Sequence, residues 1–162
     1  MTPISIIGKN YQGKVKRTRV ACRAIILRGD RILLSHETRH DLFMLPGGGL
    51  EAGERETDCC AREVAEETGL LFCPASLALT IDEYYGDRKY VSYYYTGTVT
   101  GTTATKLTKD EIEGGLVSRW LPLDEALALF GDHARYDGVY ELKRGLYLRE
   151  YTALSALLKG KT

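Results

Sequence analysis

The chain has 162 residues, of which 44% are hydrophobic and 27% charged, and its 22 lysines and arginines balance 22 aspartates and glutamates. This length and composition predict a single globular domain over residues 1–162 and exclude a fibrous or intrinsically disordered protein. Because the net charge is zero, the chain has no general basic field to hold a nucleic-acid polymer or an anionic membrane surface.

The sequence also argues against membrane insertion and secretion. Its apolar runs are only a few residues long, whereas a transmembrane helix needs about 20 apolar residues. The first 17 residues do not combine an apolar core with a small-residue cleavage site, the pattern typical of a secretory signal. The four cysteines (Cys22, Cys59, Cys60 and Cys73) form no CxxC pair. We therefore expect reduced cysteines in a cytoplasmic protein.

The first half of the chain alternates strand and turn signals before one clear helix. Apolar patterning predicts strands over residues 17–27 and 31–35, joined by the hairpin signal Gly29-Asp30. A short apolar run over residues 43–45 leads through Pro46 into three glycines. The spacing then predicts a helix over residues 56–68 that ends at Gly69.

The second half is predicted to contain three strands and two helices. The strands cover residues 76–84, 88–99 and 116–121, the helices cover residues 124–130 and 145–158, and residues 101–115 are interpreted as a loop. Because strands and helices intermingle, the pattern predicts an α/β fold in which a sheet is covered by helices.

Three glutamates share one face of the predicted helix over residues 56–68. At about 100° per residue, Glu63, Glu66 and Glu67 lie nearly opposite Val64 and Ala65, the predicted packing face. Like charges at these spacings destabilise a helix by a few tenths of a kcal/mol per pair. A bound cation removes that penalty, and carboxylate oxygens suit Mg²⁺ or Mn²⁺. The alternative is an ordinary solvated helix face, which the helix alone favours.

The glycines before this helix also allow two interpretations. Gly47, Gly48 and Gly49 have no side chain to keep a phosphate or a metal away from the backbone. The alternative is a flexible turn. Glu51 and Glu54 add carboxylates at the entrance to the helix.

Taken together, residues 48–70 (GGLEAGERETDCCAREVAEETGL) resemble the signature of the Nudix hydrolases, G-x5-E-x7-R-E-U-x-E-E-x-G-U, where U is a bulky aliphatic residue. Every fixed position matches. The flanking LPGG and WLPLDEAL segments resemble the family too. The resemblance implies the Nudix fold, a mixed β-sheet sandwiched between α-helices (α/β/α).

The resemblance further implies metal-dependent hydrolysis of the phosphoanhydride bond in a nucleoside diphosphate linked to another group. The substrate would be a small nucleotide: a nucleoside triphosphate, a nucleotide sugar, ADP-ribose or a dinucleoside polyphosphate. The implied metal ligands are Glu63, Glu66, Glu67 and the backbone of Gly48. Arg62 would orient these glutamates by pairing with Glu54, while Gly47, Gly48 and Glu54 would border the substrate. Dimers are common among relatives, so a homodimer is a further expectation.

The resemblance does not fix the general base or the substrate. Glu63 is the first candidate for the base, and Glu111 or Glu113 of the later loop is the alternative, with Glu113 nearer the expected spacing. The alternative is that both loop acids are ordinary surface residues without a catalytic role. Six tyrosines crowd two predicted strands, where they either stack on a base or pack in the sheet; they are Tyr84, Tyr85, Tyr90, Tyr93, Tyr94 and Tyr95.

The sequence departs from the family pattern at two positions, Arg55 and Phe43, and two other functions are alternatives to the hydrolase. Arg55 stands where many relatives have a Ser or Thr helix cap, so the helix start either frays or is capped by Thr57.

The other functions are a non-catalytic nucleotide-sensing module and an isomerase of isoprenoid diphosphates. Degenerate or altered signatures mark such proteins, so the intact signature favours the hydrolase. Phe43 stands where a tryptophan is frequent in the family. Arg39 and His40, which precede the glycines, are further candidates for substrate contact.

Overall fold

The computed structural model describes residues 1–160. Its strands are β1 (Ile4–Ile7), β2 (Arg17–Ile25), β3 (Leu27–Arg28), β4 (Arg31–Glu37), β5 (Leu42–Met44), β6 (Gly47–Gly49), β7 (Leu70–Tyr85), β8 (Arg88–Thr102) and β9 (Leu116–Pro122). Its helices are α1 (Glu56–Thr68), α2 (Lys109–Glu113), α3 (Leu123–Gly131) and α4 (Glu141–Lys159), with a 3-10 turn over Asp132–Tyr136.

The strands form two sheets with helices on both sides, which confirms the predicted α/β class. One sheet has the order β1-β7-β8-β2-β6, and the other holds β3, β4 and β5 with β9 beside β4. The pairing is mixed, since β1 runs parallel to β7 and β2 parallel to β8. Alternate residues of β2 face opposite sides of the sheet. Cys22 and Ala24 therefore pack on α1, while Ile25 packs with Tyr147 of α4.

The three glycines form a strand, so their interpretation as a flexible turn is wrong. In β6, Gly47 pairs with Arg23, Gly48 with Cys22 and Gly49 with Ala21 of the antiparallel β2. Gly47 has a φ of 148°, and a Cβ there would lie 2.1 Å from the carbonyl oxygen of Cys22. Only glycine lets β6 approach β2 this closely.

Helix α1 begins and ends where the sequence predicted. Gly69 closes it in the left-handed conformation, with φ at 71°. Arg55 is the N-cap and makes no side-chain cap, so neither Arg55 nor Thr57 caps the helix; Arg55 instead pairs with Asp58 at 2.7 Å. The charge of Asp58 in the first turn favours the start of the helix.

The predicted loop over residues 101–115 contains a short helix, α2. Its N-cap Thr108 accepts a hydrogen bond from the backbone of Glu111, whose carboxylate accepts one from the backbone of Thr108 at 2.7 Å. This reciprocal arrangement is the capping box. The T-x-x-E pattern of residues 108–111 is its signature, and the sequence interpretation passed over it.

The two longest strands form an antiparallel ribbon that extends beyond the rest of their sheet. β7 has 16 residues and β8 has 15, but β1 pairs only with Ile81–Tyr84 of β7. Along the ribbon the register shifts near Leu71, at Pro74 and near Leu77. Within residues 1–160, no helix is long and apolar enough to cross a membrane.

Candidate active site

Arg62 of α1 joins the helix to the segment before it. Its Nε donates to Glu54 Oε1 at 2.8 Å, and its Nη2 donates to Glu54 Oε2 at 3.0 Å and to the carbonyl oxygen of Gly49 at 3.2 Å. Its Nη1 donates to Glu63 Oε1 at 2.8 Å and to Glu66 Oε2 at 3.4 Å. The two parallel bonds to Glu54 are the bidentate geometry for which a guanidinium is suited. The pairing of Arg62 with Glu54, implied by the resemblance, is thus confirmed.

Glu54 is held as an anion by this pairing. The hydrogen bonds from Arg62 lower the pKa of Glu54 from 4.5 to about 2, helped by a bond from the backbone of Glu51. The same pair raises the pKa of Arg62. Glu54 therefore acts as an anchor for Arg62, and Arg62 in turn positions Glu63 and Glu66.

We expect the Glu54→Gln variant to lose stability in a pH-dependent way. The lowered pKa means that Glu54 contributes stability above pH 4.5, which is lost as the pH falls towards 2. At pH 7 the free energy of unfolding of the variant should be about 1–2 kcal/mol lower than that of the wild type. Urea titrations at several pH values measure the difference.

A matched control for this prediction is Glu113→Gln, because the side chain of Glu113 is 56% exposed and only 3.8 Å from Lys109. That variant should match the wild type at every pH. A gap between Glu54→Gln and the wild type that persists unchanged below pH 3 would contradict the assigned role of Glu54.

Glu63 lies directly over the glycine strand. Its side chain is 14% exposed, and a Cβ on Gly48 would lie 2.3 Å from Glu63 Oε2. The bare backbone of Gly48 is therefore what makes room for this carboxylate. Burial raises the pKa of Glu63, although Arg62 opposes the shift. A raised pKa brings a carboxylate closer to the range of a general base.

Glu67 is the most enclosed of the three glutamates. Its Oε2 accepts hydrogen bonds from Ser35 Oγ at 3.0 Å and from the backbone nitrogen of Gly47 at 3.2 Å. Burial raises the pKa of Glu67 to about 7. Glu66 is more open, with 31% of its side chain exposed.

The alternative interpretation of the glutamates as a solvated helix face is therefore wrong. The buried residues of the helix are Cys59, Cys60 and Val64, and the glutamates do not lie on a solvated face. β6 and Ser35 of β4 cover the side on which the glutamates lie. Hence both sides of the helix are enclosed, one by apolar side chains and the other by backbone and polar groups.

The donor set at this site suits a divalent cation. Glu63, Glu66, Glu67 and the carbonyl of Gly48 offer hard oxygen ligands, and two of the carboxylates are buried negative charges that a cation would stabilise. Among residues 1–160, no three His, Cys, Asp or Glu side chains are arranged as a metal site. In this structure Arg62 instead engages Glu63 and Glu66, while Ser35 and Gly47 engage Glu67.

The two loop acids have different surroundings. Glu113 is exposed on α2, and with Arg39 and His40 it lines a groove of about 330 Å³. Glu111 is near enough for its charge to raise the pKa of Glu63. The role of Glu113 as the general base stays a prediction. Because its charge acts on Glu63, Glu111 is a second candidate for that role.

Two residues near the glutamates were missed by the sequence interpretation. Ser35 bonds Glu67, and the thiol of Cys59 lies 3.7 Å from the carbonyl oxygen of Gly48. Ser35 ends a predicted strand and Cys59 is a buried helix residue, so neither carries a local signal of a site.

Comparisons with known proteins point to one family. A family model described as the NUDIX domain matches residues 17–142. The human diphosphoinositol polyphosphate phosphohydrolase 3-beta is 30% identical over 141 residues, which is 85% of this chain and 84% of that protein. Among solved structures, a NUDIX hydrolase from Nitrosomonas europaea is 24% identical, with a TM-score of 0.67 over 89% of this chain and 90% of that one. A MutT NUDIX hydrolase from Burkholderia pseudomallei is 26% identical, with a TM-score of 0.55 over 66% and 84%.

Proposed function

The chain belongs to the NUDIX family and is a hydrolase of pyrophosphate bonds, and from this premise we propose that it cleaves a small nucleotide, a nucleoside diphosphate linked to another group, with the help of a divalent cation. The observation that carries the proposal is the contact of Arg62 with Glu63 and Glu54 beside the bare backbone of Gly48. In this arrangement carboxylates, a guanidinium and open backbone adjoin one another.

Each residue of the site has a defined part in the proposal. Glu63, Glu66, Glu67 and the carbonyl of Gly48 would hold Mg²⁺ or Mn²⁺. A bound cation of this kind neutralises charge on the phosphates and acidifies a water molecule. Arg62, anchored by Glu54, keeps the carboxylate of Glu63 in one orientation.

Glu63 is the proposed general base, with Glu111 and Glu113 as the alternatives. Its carboxylate is partly desolvated and lies against Gly48, where it can accept a proton from a water molecule that attacks the diphosphate. Gly47, Gly48 and Glu54 would border the substrate. Because β6 has no side chains, phosphates can approach its backbone closely.

The relatives suggest a second substrate class. The human relative acts on diphosphoinositol polyphosphates according to its name. Such a compound also contains a phosphoanhydride bond, so the same site chemistry would serve it. The earlier alternatives, a non-catalytic sensor and an isomerase, are not favoured, because the relatives are named as hydrolases.

We expect hydrolysis to depend on an added divalent cation. The purified chain is incubated with ATP, UDP-glucose, ADP-ribose, diadenosine tetraphosphate or a diphosphoinositol polyphosphate, and the products are resolved by ion exchange. With Mg²⁺ at least one nucleotide should be cleaved at a phosphoanhydride bond. EDTA should stop the reaction, and excess Mg²⁺ or Mn²⁺ should restore it. Turnover that continues in EDTA, or cleavage of no nucleotide, contradicts the proposal.

A homodimer and a cytoplasmic location stay predictions. Sedimentation of the purified chain tests the first, and imaging of a tagged chain in cells tests the second.

A further inference from the structure

A pocket opens between α4, the end of β7 and the start of β8. It encloses about 440 Å³, and its lining includes Arg19, Glu83, Tyr85, Tyr90, Gly145 and Arg149. None of these residues belongs to the set of glutamates and glycines described above. The volume is within the range of pockets that bind small molecules.

Arg19 connects this pocket to the candidate active site. It lies on β2, and its Nη2 is 3.6 Å from the position that a Cβ on Gly49 would take. The carbonyl oxygen of Gly49 accepts a hydrogen bond from Arg62. Arg19 therefore borders both β6, along which the diphosphate is proposed to lie, and the pocket.

The wall of the pocket contains a buried acid, Glu83, whose charge is opposed by Arg149 and Arg23. Glu83 is 4% exposed, and its ion pair within the described chain is with Arg149, at 3.6 Å. Arg149 is held more tightly by Glu150, whose Oε1 accepts from its Nε at 3.0 Å. The carboxylate of Glu83 thus keeps acceptor capacity on the pocket side. A buried carboxylate of this kind favours ligands with N–H or O–H donors and repels phosphate.

The same strand, β7, contributes a buried hydroxyl group that has no hydrogen-bond partner among residues 1–160. Tyr85 Oη is buried and makes no hydrogen bond to any residue in the range 1–160. Gly145 of α4 keeps the space beside it open, since a Cβ there would lie 3.2 Å from that oxygen. The ring of Tyr90 lies 6.5 Å from the ring of Tyr85 and adds an aromatic surface. Buried polar groups are usually satisfied, so an orphaned hydroxyl in a pocket indicates a ligand that satisfies it.

We propose that this pocket holds the group that the substrate carries beyond its diphosphate, and that Glu83 and Tyr85 select a nucleoside over a ring on which every position is phosphorylated. The inference rests on the proposed function and narrows its substrate class. A nucleoside offers N–H and O–H donors to Glu83 and Tyr85, together with a flat base for the aromatic side chains. A fully phosphorylated ring offers no donors and places negative charge against Glu83.

The test compares binding of two probes, AMP and inositol hexakisphosphate, by calorimetry, so that no turnover is needed. The wild type should bind AMP more tightly than inositol hexakisphosphate. Tyr85→Phe should weaken AMP binding about fivefold and leave inositol hexakisphosphate unchanged, because it removes one hydrogen bond. Glu83→Gln should weaken AMP binding about tenfold and strengthen inositol hexakisphosphate binding, because it removes a buried charge.

Folding is controlled for within the same set of variants. The hydroxyl of Tyr85 has no hydrogen-bond partner among residues 1–160, so Tyr85→Phe should keep the wild-type unfolding midpoint. Tyr151 lies on α4, which also lines the pocket, but in a groove with Leu127 and Leu158, so Tyr151→Phe should bind both probes like the wild type.

Two results would overturn the inference: AMP binding that neither pocket variant alters, or tighter binding of inositol hexakisphosphate by the wild type. Hydrolysis of nucleotides alongside either result leaves the proposed function standing. AMP binding that responds to both variants, without hydrolysis of any nucleotide, supports the inference and contradicts the proposed function.

Discussion

The Glu63→Gln variant should lose activity by a factor of about 10³ or more, because the substitution removes both a proposed general base and a proposed cation ligand. Its thermal unfolding midpoint without metal should stay level or rise. The side chain is only 14% exposed, its burial disfavours the charge, and Glu66 repels it. Arg62 keeps its two bonds to Glu54 when the charge of Glu63 is gone. Phosphate release and calorimetric melting measure the two effects.

The loop acids provide the controls for this prediction. Glu111→Gln and Glu113→Gln should each retain activity within about tenfold of the wild type if Glu63 is the base. A loss in either variant as deep as that of Glu63→Gln would move the base to α2. If Glu63→Gln unfolds under conditions in which the wild type is folded, Glu63 has a structural role instead.

The glycines of β6 should respond to alanine in three different ways. In Gly47→Ala the new Cβ would lie 2.1 Å from the carbonyl oxygen of Cys22, and φ at 148° is unfavourable for any other residue. The clash is with a backbone atom, which cannot move aside as the end of a flexible side chain can. This variant should therefore lose about 3 kcal/mol or more of unfolding free energy. It should accumulate in the insoluble fraction, and the soluble part should melt early.

Gly48→Ala should fold but lose activity. The atoms that its Cβ would meet, at 2.3 and 2.4 Å, are the carboxylate oxygen and carbon of Glu63, at the end of a flexible side chain. The carboxylate can move aside with little effect on stability. A displacement of about 1 Å at a reacting group costs about 10² in rate. Circular dichroism and kcat separate these two effects.

Gly49→Ala is the matched control for both variants. Its nearest neighbour, Arg19 Nη2 at 3.6 Å, is at an ordinary contact distance. It should change the unfolding free energy by no more than about 0.5 kcal/mol. Equal stability of the Gly47 and Gly49 variants, or full activity of Gly48→Ala, would contradict the assigned geometry.

The elements that the sequence predicted well are those defined by local chemistry. Helix α1 has a clear apolar pattern and Gly69 at its end, so both of its limits were predictable. The resemblance of residues 48–70 also implied the pairing of Arg62 with Glu54, which the structure contains.

The features that were missed depend on contacts distant in sequence. A helical wheel cannot show that β6 and Ser35 cover the glutamate side of α1, because those residues come from earlier strands. The strand β1 pairs with Ile81–Tyr84, nearly 80 residues away. The pocket at Glu83 and Tyr85 likewise requires α4 to lie over the ends of β7 and β8. Only the capping box at Thr108 was available locally and overlooked.

The overhanging part of the β7–β8 ribbon has a consequence for how copies of this protein behave in concentrated solution. Residues of β7 before Ile81 have no second strand beside them within residues 1–160, and such an edge can act as a template for association between molecules. Pro74 removes one hydrogen-bond donor from that edge, and the three register shifts bend it out of a regular ladder. The irregularities of β7 therefore guard the chain against edge-to-edge aggregation.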